Sequence, residues 1–288
     1  MKVAITGKGG VGKTTVAASL CRALRDLGRS VVAVDADPDT NLAGNLGYRG
    51  PEIAPLSTLE TLIAERVGGG DGGGGFLRLN PRVDDIPEQL GVVIDGIRLL
   101  VMGTIDRGRQ GCACPQNVLL REVLAHLVLG TQEDVIVDME AGIEHLGRGT
   151  AEGVDLMLVV VEPGWAALQT AGRVARLAAQ LGIQRLHAVA NRVACEADRD
   201  FICSQLGTLP LLGALPLDPE LEREARVGAF LKERPFHREM ARMAGRLSSA
   251  GEGTLRARAD VASIRRPRRC WRTPARSAWP RPGIATSR

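Results

Sequence analysis

"KVAITGKGGVGKTTVAASLCRALRDLG", residues 2–28, decides the fold. A short apolar run, Lys2–Thr6, breaks into a glycine loop and continues as an amphipathic stretch closed by Gly28. That order reads as strand, loop and helix. Within it, Gly7, Gly12, Lys13 and Thr14 occupy the four positions of a phosphate-loop pattern. Gly9, Gly10, Val11 and Gly12 would turn successive backbone N–H groups toward phosphate oxygens, where the helix N-terminus adds positive potential. Lys13 would lie along the β- and γ-phosphates, and the Thr14 hydroxyl would be a Mg²⁺ ligand, with Thr15 beside it at the nucleotide.

Downstream, the same alternation repeats. "SVVAVDAD" (30–37) is apolar on both faces, as a strand covered by helices must be. "DVIVDME" (134–140), "DLMLVVVEP" (155–163), "LHAVANR" (186–192) and "LLGALPLD" (211–218) are further buried strands. Residues 91–103 read as a hairpin around Asp95-Gly96. Helices are expected at 57–66, from Pro115 to Gly130, at 165–182, at 198–207 and near 235–248. The pattern predicts an α/β domain over 1–248, a single open, mostly parallel sheet flanked by helices. Seven glycines in the eight residues 68–75 form a flexible insertion with no capacity to build a core. From 249 to 288 the chain is rich in Arg and Pro, a composition that predicts a disordered basic tail.

Charge separates body from tail. The formal net charge is +4, but residues 251–288 hold ten arginines against Glu252 and Asp260, a net of +8. Residues 1–250 are therefore net −4, which argues against a nucleic-acid footprint on the folded body. Lysine is scarce: of Lys2, Lys8, Lys13 and Lys232, two fall in one loop. No stretch approaches the roughly 18–20 apolar residues of a membrane span, and "MKVAIT" runs straight into a strand, so a cytoplasmic location is expected.

Asn191, at the end of an apolar strand, is placed to bind a purine edge. A guanine site of the usual type adds an Asp two residues later, and position 193 is Val, so ATP is favoured over GTP. Leu215–Asp218, with Pro216 and Asp218, would wall the base on its other side.

Cys112 and Cys114, in "GCACPQN" (111–117), pose a separate question. They could be a metal clasp, a redox couple or two packed thiols. Cys114 stands where a helix N-cap would be, which favours thiolate. An i, i+2 disulfide is geometrically poor. Two sulfurs do not close a tetrahedral site, but a two-fold axis would supply four, suited to Zn²⁺ or Ni²⁺. Cys21, Cys195 and Cys203 read as small packed hydrophobes.

A second lysine, Lys8, five residues before Lys13 resembles the variant phosphate loop of the MinD/ParA/nitrogenase iron protein class. The resemblance implies that Lys8 reaches the nucleotide of a second subunit. "DADPDTNL" (35–42) looks like the first switch of that class, with Asp37 orienting the attacking water and Asp35 holding a magnesium-bound water. "DVIVDMEAG" (134–142) resembles its second acidic motif, with Asp138 on magnesium and Gly142 in the second switch. The run "DMEAGIEHLGRGTAEGVD" (138–155), together with the loop and the C-x-C, is similar to the maturation ATPases of carbon monoxide dehydrogenase. That family implies ATP-driven nickel insertion into a nickel–iron–sulfur enzyme by a homodimer, with Ni²⁺ or Zn²⁺ held by Cys112 and Cys114 of both subunits. Glu140, Glu144 and His145 would then stand near the γ-phosphate.

Two rivals remain at this level. A MinD/ParA positioning or partitioning ATPase would use "RRPRRCWRTPARSAWPRP" (265–282), which mixes Arg with two Trp, on membrane or DNA. An iron–sulfur reductase would need two well-separated cysteines per subunit, where this chain has a tight pair.

Overall fold

The computed structural model describes residues 1–68, 77–103, 115–130, 133–140, 153–221, 223–224 and 233–250. Lys2–Gly7 (β1) is buried along its length and leads through the glycine loop into Lys13–Asp26 (α1). Val31–Ala36 (β2) follows, then the short helix Leu42–Asn45 (α2), a 3₁₀ turn at Leu56–Thr58 and Glu60–Val67 (α3). Ile86–Leu90 (α4) precedes the hairpin of Val92–Ile94 (β3) and Ile97–Val101 (β4). The second half runs Pro115–Gly130 (α5), Asp134–Met139 (β5), Leu156–Val161 (β6), Trp165–Gln180 (α6) and Leu186–Val193 (β7). It closes with Glu196–Gln205 (α7), Leu211–Pro216 (β8) and Pro235–Ala250 (α8).

The strands form one sheet in the order β3-β4-β2-β5-β1-β6-β7-β8. Every neighbouring pair is parallel except β3 with β4. Because side chains alternate along a strand, each buried strand feeds two cores. Val32 and Val34 join the layer under α3, α5, α6 and α7, whereas Val31 and Ala33 join the layer under α1 and α8. Phe236, fully buried, anchors α8 in the second layer. Removing such a ring costs about 3–5 kcal/mol.

The hairpin turn has the backbone its sequence demands. Asp95 and Gly96 take φ of 48° and 77°, the two left-handed positions of a type I′ turn. Arg25 of α1 donates to the Asp95 carbonyl at 2.7 Å, which ties this edge of the sheet to the loop's helix.

The expected architecture is present, with local differences. The helix expected over 57–66 is split, because Leu59 at ψ 72° breaks the run between the 3₁₀ turn and α3. α2 and α4 are single turns of four and five residues that no periodicity announces. α8 continues to residue 250. Cys21 is buried as expected and Cys195 is half-buried, but Cys203 is exposed on the outer side of α7, contrary to the packed role read for it. Its neighbours Ser204 and Gln205 are exposed too, so this is the solvent face of the helix. Of the glycine run, Gly68 is described and closes α3 at φ 84°. The rest of that run, residues 104–114 and the tail 251–288 lie outside the described residues. Among the described residues, no helix is long and apolar enough to cross a membrane.

Candidate nucleotide-binding site

β1 lies between β5 and β6, and β2 lies on the far side of β5. The chain thus steps over one position in going from β1 to β2, and β5 later fills it. Three strand ends, those of β1, β2 and β5, open side by side at the carboxyl edge of the sheet, where open α/β sheets hold their ligands. The glycine loop, Lys13, Asp35, Asp37 and Asp138 sit there.

The loop is shaped by steric limits. At Gly7 (φ +151°) a Cβ would come within 2.5 Å of the Val160 carbonyl oxygen, so the strand exit leaves no room for a side chain. Gly10 and Gly12 take φ of 82° and 91°, values that L side chains rarely adopt. Gly12 is the residue immediately before α1, whose first turn has no side-chain cap. Its orphan N–H groups are therefore available to an anion. Gly9 and Gly10 are exposed, while Val11 is fully buried and pins the loop from beneath. Asn191 braces the same point, its Nδ2 donating to the Val11 carbonyl at 2.8 Å.

Lys13 is buried, and its Nζ lies 3.8 Å from Oδ2 of Asp37. Phosphate-loop helix and first switch thus meet through that ion pair. Lys8 is half-buried, with no ion-pair partner among the described residues. Asp35 and Asp138 are fully buried and face each other in register across β2 and β5. Asp35 accepts from the Leu42 N–H at 2.9 Å and from the Asp37 N–H at 3.3 Å. Its carboxylate therefore braces the turn of the first switch. Burial pushes its pKa up to about 6 against those two bonds.

Asp138 is different. Both of its oxygens are buried, and among the described residues neither has a hydrogen-bond partner of ordinary geometry. The Thr14 hydroxyl lies close enough to favour its charged form, though outside strict hydrogen-bond geometry. Burial, assisted by the charges of Asp35 and Asp37, pushes its pKa up to about 7, against the pull of Thr14 and Lys13. A buried carboxylate with unused lone pairs is expensive unless a cation completes it. Beside a threonine hydroxyl at the mouth of a phosphate loop, the hard oxygen donors fit Mg²⁺. Thr6 of β1 adds a link the sequence did not announce, its hydroxyl donating to the Glu140 carbonyl at 3.0 Å just beyond β5.

The segments expected to flank the base lie at the ends of β7 and β8. Val193 pairs with Pro216, and the Leu217 N–H donates to the Val193 carbonyl at 3.0 Å. Asn191 and the Pro216–Asp218 segment therefore lie on adjacent strand ends, with Leu217 half exposed. The Asp218 carboxylate is already engaged, accepting from Arg234 at 2.9 Å and from the Glu220 N–H at 3.1 Å. Arg234 carries no local sequence signal that would have pointed to this role. Arg192 holds φ +57° and pairs with Glu162 at 2.9 Å, joining the ends of β7 and β6.

Cys112, Cys114, Gly142, Glu144 and His145 lie outside the described residues. Among the described residues, no group of three or more His, Cys, Asp or Glu is placed to hold a metal ion. A cleft of about 860 Å³ opens at the opposite edge of the sheet between α6, the start of β7 and residues 205–210. No acidic residue lines it, and the phosphate-binding groups are not there.

Comparison with known proteins agrees with this geometry. The model of the CbiA family, the CobQ/CobB/MinD/ParA nucleotide binding domain, matches residues 2–229. The chain is 46% identical over 231 residues to the carbon monoxide dehydrogenase accessory protein CooC of Rhodospirillum rubrum, covering 79% of this chain and 88% of that one. It is 47% identical over 232 residues to an uncharacterized ATP-binding protein of Methanocaldococcus jannaschii, covering 79% and 90%. Among solved structures, the MinC:MinD cell division protein complex of Aquifex aeolicus superposes with a TM-score of 0.64 at 22% identity, over 86% of this chain and 96% of that one. That last likeness is one of fold.

Proposed function

The chain belongs to the CobQ/CobB/MinD/ParA family of nucleotide-binding proteins and is a P-loop ATPase, and on that premise we propose that it matures a carbon monoxide dehydrogenase. The observation that carries the reading is the meeting at one sheet edge of the glycine loop, Lys13, Asp37 and Asp138, whose buried oxygens have no hydrogen bond of ordinary geometry among the described residues. Identity of 46% to a named accessory protein of that enzyme supports the choice of client.

ATP would bind with its phosphates on residues Gly9–Thr15 and its base between Asn191 and Pro216–Asp218. Magnesium, when bound, supplies charge neutralisation for the β- and γ-oxygens. Thr14 and Asp138 would hold it, Asp138 through water, and Asp35 keeps the adjoining switch in shape. Lys13 stabilises the negative charge that develops on the transferring phosphoryl group. Asp37, from the first switch, orients the attacking water; the bond from the γ-phosphorus to its bridging oxygen breaks as the new P–O bond forms.

Nickel is the cargo in this reading. Lys8 of each subunit reaches the nucleotide of the other, and Cys112 and Cys114 of both subunits hold Ni²⁺ or Zn²⁺ at the shared seam. Hydrolysis shifts the population of closed dimers and with it the sulfur geometry, provided that the two states differ in affinity for the ion. Native mass spectrometry with and without ATP and Ni²⁺ tests the scheme. One metal per dimer is expected, lost in the Cys112→Ser, Cys114→Ser double variant while ATP binding persists. Metal stoichiometry unchanged in that variant would refute the cysteine site.

A further inference from the structure

We propose that Arg234 sets the purine preference of the site by holding the base wall in place, an inference that rests on the ATP-binding reading above. Its guanidinium gathers carboxylates from a segment that leaves β8. Nη1 lies 2.9 and 3.2 Å from the two oxygens of Asp218, and Nε lies 2.5 Å from Oε1 of Glu224 in an ion pair outside hydrogen-bond geometry. Glu220 stands 3.9 Å from Nη2. Glu224 is 5% exposed at its side chain, and its other oxygen meets Nε2 of His237 at 2.7 Å.

Position gives the cluster its meaning. Asp218 is the first turn residue after the strand end that neighbours Asn191, and Leu217 between them is bonded to Val193. Arg234 immediately precedes α8, which Phe236 fastens into the core. The base wall is thus a short arm fixed at one end by the sheet and at the other by Arg234. Charge alone would not fix it. A guanidinium fork restrains direction as well as distance, whereas an ammonium is a point charge. Bringing two acids, Asp218 and Glu224, and an arginine together at low exposure is seldom a net gain in stability. Its return here is the placing of Leu217 and Asp218 against Asn191. Arg234 touches no reacting atom, so it is a positioning residue.

The test compares wild type with Arg234→Lys and Arg234→Gln, each first checked for folding by circular dichroism. Steady-state hydrolysis is measured with ATP and with GTP, and tripolyphosphate, which lacks a base, is used as a competing inhibitor. In Arg234→Lys, KM for ATP should rise about tenfold with kcat held within about twofold, and the preference for ATP over GTP should narrow. The inhibition constant for tripolyphosphate should not move, since the phosphate loop is untouched. Arg234→Gln should show the larger loss; should it fail to fold, Arg234→Lys decides alone. Unchanged KM and purine preference in folded Arg234→Lys overturn the inference. So does a tripolyphosphate constant that worsens in step with KM, because that is general loosening of the site. Wild type that hydrolyses no ATP overturns the proposed function, and this inference with it.

Discussion

At the scale of single residues, the site is governed by where a group has no alternative. Gly12 is the sharpest case. A Cβ there would stand 2.5 Å from Nδ2 of Asn191, on a backbone at φ +91°. Gly12→Ala should therefore break the Asn191–Val11 bond and strain the loop together. A loss of about 1–3 kcal/mol is expected, seen as a fall of several degrees in Tm, with ATP affinity reduced by at least about tenfold by calorimetry. Asp138 makes the opposite prediction. Its carboxylate is buried without a hydrogen bond of ordinary geometry among the described residues, so Asp138→Asn relieves a cost that serves catalysis. The variant should melt a few degrees above wild type without magnesium, at roughly 2–4 °C per kcal/mol for a domain of this size, and should hydrolyse no ATP. A variant that melts lower would mean that Asp138 holds the fold together. Asp138 was legible in the sequence because a carboxylate ending an apolar strand is rare. The bond from Asn191 to the Val11 carbonyl was not, since it joins residues 180 apart with no local pattern to betray it.

Elements follow from pattern, and pattern sets the limit of reading. The central strands were visible as apolar runs because both their faces are covered. α2 and α4 were invisible because one helical turn has no period. The contact of Arg234 Nη1 with Asp218 escaped for a third reason: it depends on how α8 is docked, a matter of packing. Where elements are stitched by charge, acidity should unpick them. Asp134 begins β5 and is held by Arg29, from the α1–β2 connection, through Nη2 at 2.9 Å and through Nε. Burial raises its pKa, but the bonds led by that to Arg29 outweigh it and leave it below the usual value. A depressed folded pKa means stability that is present above the unfolded value near 4 and is lost as pH falls through the folded one. Asp134→Asn should accordingly cost about 1–3 kcal/mol at pH 7. The difference in Tm from wild type should shrink steadily below about pH 4. A gap that stays constant down to pH 3 would exclude this ion pair as its source.

For the whole molecule, the proposed function turns on two copies meeting. Lys8 stands on the loop without an ion-pair partner among the described residues, five positions before a lysine already engaged with Asp37. Under the proposed function, Lys8→Ala should bind ATP with near wild-type affinity yet remain a single subunit by light scattering, with turnover reduced by at least about tenfold. Full activity in a monomeric Lys8→Ala would place the chemistry within one chain. The brace at Asp35 bears on the timing of this encounter. Because its carboxylate already secures the backbone of residues 37 and 42, the first switch has little ordering left to do when triphosphate arrives. Nucleotide capture should then be a rapid single-phase event, with the slow step left to collision between subunits. Specific activity would climb with enzyme concentration until every chain has found its mate.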